Sequence, residues 1–71
     1  MKVSEVYAVL SAVEDIQIIN AKSCEPYTSV DYLSDSGNDF DNYKDYTVYG
    51  LSAGINYEGG AYIKIIVEEM I

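Results

Sequence analysis

The chain has no histidine, no tryptophan, one cysteine and one proline, and only four basic residues against twelve acidic ones. Without histidine the usual zinc ligand sets and the commonest acid–base catalyst are missing. No Walker or H-E-x-x-H pattern occurs, and the G-x-S-x-G match at Gly50-Leu51-Ser52-Ala53-Gly54 has no histidine to activate its serine, so nucleophilic and zinc mechanisms lose their usual parts. Cys24 stands alone and cannot close an intrachain disulfide, which points to a reducing compartment. With no histidine partner it reads as an ordinary buried or half-buried thiol rather than a nucleophile. No apolar run is long enough to cross a bilayer. The stretch from Val6 to Val13 is short and ends in Glu14-Asp15 instead of a cleavage site, so no secretory signal is read there and a cytoplasmic location is expected.

What is present is negative charge and tyrosine. The formal net charge is −8, and eight of the 71 residues are tyrosine. Such a surface repels nucleic acid and anionic membranes and attracts basic partners, although acidity also serves solubility alone. The length fits one domain, residues 1–71, which buries only about 60% of the surface its unfolded chain exposes. With neither disulfide nor zinc to help, a second copy or a partner is the remaining source of added stability.

Val3, Val6, Tyr7, Leu10 and Val13 recur at three- and four-residue intervals, which predicts a helix over 4–13 with Ser4 as its N-cap. Residues 15–21 read as a strand with Ile16 and Ile18 on one face and Gln17 and Ile19 on the other. Pro26 is placed to open a short helix through Leu33. Residues 35–39 form a turn. Residues 46–56 and 61–69 read as two strands joined by the hairpin loop Asn56–Gly60. Gly50 and Gly54 share one face of the first of these strands and mark a bulge or a close backbone approach. The fold class is therefore α+β: an N-terminal helix packed on a three-stranded, mainly antiparallel sheet. Tyr7, Tyr49 and Tyr62 are expected to pack in it. Strand 61–69 is apolar on both faces, which requires cover on both. Either a homodimer through residues 61–71 supplies the second cover, or the middle segment folds over it.

That middle segment, residues 23–45, holds six carboxylates against the single base Lys44, net −5. Three chemistries were open to it. Paired carboxylates for acid–base work need a concave pocket that so small a domain can hardly form. An EF-hand fails: counting from Asp35, the sixth position is Phe40 and the twelfth Tyr46, and from Asp39 the sixth is Lys44, so only an irregular calcium loop remains. Mimicry of nucleic acid asks for spaced negative charge with interleaved aromatic rings, and Asp31, Tyr32, Asp35, Asp39, Asp41, Tyr43 and Asp45 supply it. Those seven residues are the expected partner-binding set. No catalytic residue, metal or cofactor is expected.

The order of features resembles small hypothetical proteins of bacteriophages and mobile elements. The likeness lies in an opening helix (Lys2-Val3-Ser4-Glu5-Val6), a strand (Asp15-Ile16-Gln17-Ile18-Ile19), a variable polar stretch, and a closing hairpin of Tyr46–Tyr49 with Tyr62–Val67. Small acidic phage proteins include inhibitors of bacterial defence, anti-CRISPR proteins among them, several of which occupy the nucleic-acid or PAM-reading surface of their target. The resemblance implies an anti-defence role in the bacterial cytoplasm. The implied partner is a basic nucleic-acid-binding protein such as a CRISPR effector, with no direct contact to nucleic acid or membrane. It carries no functional residues across, because such inhibitors share no motif. The alternative is a small dimeric structural or assembly protein of a phage or mobile element.

Overall fold

A computed structural model describes residues 1–10, 14–35, 37–56 and 58–68. One short helix, α1 (Val3–Tyr7), packs on a four-stranded mixed sheet made of β1 (Asp15–Asn20), β2 (Asp31–Tyr32), β3 (Thr47–Ile55) and β4 (Ala61–Glu68). The strand order is β2-β1-β4-β3. β1 pairs antiparallel with β2 and parallel with β4, while β3 and β4 form the antiparallel hairpin. The class is α+β as expected, with two differences. A fourth strand is present, and the central pair is parallel. β2 is only two residues long, too short to leave an alternation in the sequence. β4 lies inside the sheet, between β1 and β3, and its apolar residues fall on both faces.

The core lies on one face of the sheet. Ile16 and Ile18 of β1 and Ile65 and Val67 of β4 are fully buried there, against Val3 and Val6 of α1 and Phe40. Phe40 opens a 3₁₀ turn, Phe40–Tyr43, and both helical elements therefore lie on this face. Ile19 and Ile66 sit side by side on the opposite face and are half-buried.

The helix is shorter than its apolar stripe, and residues 11–13, with Val13 of that stripe, lie outside the described residues. Ser4 is not its N-cap. Lys2 remains extended because it bridges to Thr47, so the helix begins at Val3, and Glu5 accepts from the Lys2 amide at 3.0 Å. The first helical amides are taken up tertiarily: Val3 donates to the Tyr46 carbonyl and Ser4 to that of Lys44, both at 2.9 Å. Valines are indifferent helix formers, and the helix ends at Tyr7 although Leu10 of the stripe still packs against the core. Val9, beyond it, is 81% exposed.

The helix expected from Pro26 to Leu33 does not form. This stretch runs alongside β1 instead: Pro26 bridges Ile19, Tyr27 donates to the Ile18 carbonyl at 2.8 Å, and β2 completes the pairing. The buried Thr28 hydroxyl accepts from the Ile18 amide at 3.0 Å, standing in for a backbone partner. Leu33 does pack on the core. The hairpin loop forms where expected, with Gly59 at φ 81° and Asn56 bonded to Gly60. Both glycine expectations in β3 are met. The register shifts between Val48 and Gly50, and Gly54 lies directly beneath the Tyr62 ring.

Candidate protein-interaction surface

The acidic segment is held by one buried ring. Phe40 is 1% exposed, and its neighbours Asp39 and Asp41 project to solvent on either side. Asn38 fixes the approach to that anchor: its side-chain amide donates to the carbonyls of Tyr32 (3.0 Å) and Leu33 (3.2 Å), and its Oδ1 accepts from the Phe40 amide at 3.2 Å. Asp35 folds the turn by accepting from the Gly37 amide at 2.8 Å. Asp31 accepts from its own neighbour, the Tyr32 amide, at 2.8 Å. Two of the carboxylates expected to serve a partner therefore also shape the local backbone.

Beneath the segment lies tyrosine. The Tyr7 hydroxyl donates to the Phe40 carbonyl at 2.9 Å, and burial followed by the charges of Asp41 and Asp39 pushes its pKa well above the usual tyrosine value. Tyr43 stacks on Tyr27 with centroids 5.2 Å apart and meets the edge of Tyr46 at the same distance. Burial, then Asp39, raises the Tyr43 hydroxyl as well. The ring of Tyr43 is thus engaged in the molecule's own packing, whereas Tyr32 on β2 is 43% exposed. Tyr49, expected in the sheet packing, is 70% exposed at the register shift of β3.

Two open depressions share Asp31. One, of about 200 Å³, is lined by Thr28, Ser29, Asp31, Gly37, Asn38, Asp39 and Phe40. The other, of about 370 Å³, is lined by Asp15, Val30, Asp31, Asn56 and Glu58. Four carboxylates, Asp39, Asp31, Asp15 and Glu58, therefore follow one another across the β2 end of the molecule, and no lysine lines either depression. Among the described residues no three His, Cys, Asp or Glu side chains converge as metal ligands would.

Of the seven residues singled out in the sequence, Asp31 and Asp39 fall in these depressions. Tyr32 and Asp35 lie beside them on β2 and the following turn. Asp41 flanks the same anchor as Asp39, and Asp45 lies apart, two residues before β3. Asp15 and Glu58 escaped notice. Asp15 joins the surface only because it pairs with Tyr32, and Glu58 because the hairpin loop lies beside Val30 and Asp31. Neither sits in the acidic run that drew attention by density.

Cys24 differs from expectation. It is exposed and takes φ 61°, in the turn where its amide donates to the Asn20 carbonyl at 2.8 Å. Among the described residues no helix is long and apolar enough to cross a membrane. No family model, curated protein or solved structure matches the chain.

Proposed function

We propose that this chain acts by binding rather than catalysis, presenting its acidic β2 end to a basic, nucleic-acid-binding protein and blocking that protein's cleft. The observation that carries this reading is the succession Asp39, Asp31, Asp15 and Glu58 through two adjoining depressions with no lysine in their lining. Closely spaced carboxylates offer a basic cleft what phosphates would offer it, and steer the encounter over long range. The exposed Tyr32 beside them adds an amphipathic ring suited to an interface. The resemblance to phage proteins makes an inhibitor of bacterial defence, anti-CRISPR-like and working in the host cytoplasm, the particular case we propose.

The test is capture from bacterial lysate on the immobilised chain, in parallel with a variant carrying Asp15→Asn, Asp31→Asn, Asp39→Asn and Glu58→Gln. A captured basic protein that loses its labelled oligonucleotide to the native chain but not to the variant supports the reading. Equal capture on both, with oligonucleotide binding undisturbed, rejects it.

A second reading, a dimeric structural or assembly protein of a phage or mobile element, is supported by Ile19 and Ile66. They are neighbours on the sheet face that carries neither helix. β4 lies inside the sheet, so residues 61–68 can offer another copy only this face. Loss of a dimer on Ile66→Asp would favour it, and a dimer indifferent to that change would remove it.

A further inference from the structure

β3 is the edge of the sheet opposite β2. Its outer side is in use only at the start, where Thr47 bridges Lys2 and the Val48 amide donates to the Met1 carbonyl at 2.8 Å. Among the described residues no backbone group pairs with the outer side of Tyr49–Ile55. Tyr49, Leu51 and Ile55 are 70%, 57% and 77% exposed along it. Edge strands of this length are ordinarily blunted by lysine, proline or an inward-pointing charge. Here the run from Tyr46 to Tyr57 is the longest uncharged stretch of the chain. Gly50, Ser52, Ala53 and Gly54 leave little side chain to hold another strand away.

Charge selects the occupant. A chain of net −8 repels its own copies across most of its surface, and this edge is where two copies meet without opposed carboxylates. Near Thr47 both signs are present: Lys2 pairs with Thr47 on the outer side and Lys44 lies just before it, while Glu68 pairs with Thr47 from β4 and Asp45 lies beside Lys44. A two-fold axis relates two identical edges in the antiparallel sense.

We propose that β3 pairs antiparallel with β3 of a second copy, joining two four-stranded sheets into one. The strand order then leaves a β2 edge, with Asp31, at each far end of the joined sheet. The pairing rests on none of the residues of the acidic surface and stands or falls separately from it. A contact made along one strand edge is expected to be weak, with dissociation in the micromolar range.

Sedimentation equilibrium of the whole chain from about 1 µM to 500 µM reads this directly. The expected result is a monomer–dimer equilibrium that Leu51→Lys weakens at least tenfold and Ile66→Asp leaves in place. Ala53→Lys, at a second exposed position of the same strand, repeats the test should Leu51→Lys fail to fold. Amides alternating along Tyr49–Ile55 should exchange more slowly as concentration rises. A monomer throughout the range would overturn the proposal. So would a dimer abolished by Ile66→Asp yet indifferent to both lysines, or exchange in β3 that ignores concentration.

Discussion

The Tyr7 hydroxyl donates to the Phe40 carbonyl at 2.9 Å, tying the only α-helix among the described residues to the residue that anchors the acidic segment. The two rings are tilted at 52° with centroids 6.3 Å apart, so the link is both polar and aromatic. Removing the hydroxyl with Tyr7→Phe should cost about 1 kcal/mol in urea unfolding, the usual net worth of such a bond. The same tyrosine gives a pH signature. Its folded-state pKa lies above its unfolded value, so the stability it contributes is complete below about pH 10 and is lost as pH rises through the folded value. The native protein should therefore lose stability above about pH 10, and Tyr7→Phe should flatten that loss. An alkaline limb unchanged in Tyr7→Phe would show that other tyrosines, Tyr43 first, govern it.

Thr28 makes a comparable test on β1. Its hydroxyl is the partner of the buried Ile18 amide at 3.0 Å. Thr28→Val keeps the shape and removes the acceptor, and should cost about 1–3 kcal/mol by leaving that N–H unpaired. Thr28→Ser should recover most of the loss. Equal stability of the valine and serine variants, read by thermal or urea unfolding, would contradict the bond.

Gly54 and Tyr62 are neighbours across the hairpin, and a Cβ at position 54 would overlap the Tyr62 ring. The Lys64 Nζ lies over the same ring, 5.9 Å from its centroid. Gly54→Ala should therefore destabilise by about 1–3 kcal/mol, as overpacking does. In a Tyr62→Ala background the penalty should largely vanish, a coupling that a double-mutant cycle measures. Additive losses would mean that the ring does not rest on the glycine.

What could be read from the sequence was whatever repeats. The alternation of Ile16 and Ile18, the paired apolar runs of β3 and β4, and the glycine-bearing loop between them all follow from local periodicity and turn chemistry. What could not be read was pairing between distant residues. β2 exists because Asp31 and Tyr32 meet Ile16 and Asp15, and nothing within the segment 26–32 announces that partner. The helix expected there lost to β1, whose open edge took up the same backbone groups. Val3 and Val6 were legible as a stripe, yet the N-terminal boundary was set by Lys2 reaching Thr47. The acidic surface shows the same division. Charge density drew attention to Asp31 and Asp39 but not to Asp15 and Glu58, which join them only through the fold. Density also drew in Tyr43, whose ring packs against Tyr27 and Tyr46.

The acidic surface itself makes a prediction independent of any one partner's identity. Binding through Asp39, Asp31, Asp15 and Glu58 is electrostatic, so raising salt from about 50 mM to 500 mM should weaken it markedly. Isothermal titration of a captured partner across that range checks this, and a flat response would exclude a carboxylate-led contact.

The most direct measurement is competition on the captured basic protein. Its labelled oligonucleotide is titrated with the native chain and with the Asp15→Asn, Asp31→Asn, Asp39→Asn, Glu58→Gln variant, and displacement is followed by fluorescence anisotropy. The expected result is stoichiometric displacement by the native chain and at least a tenfold weaker effect of the variant. A ternary complex of protein, oligonucleotide and chain, or equal displacement by the variant, would contradict the proposed blockade.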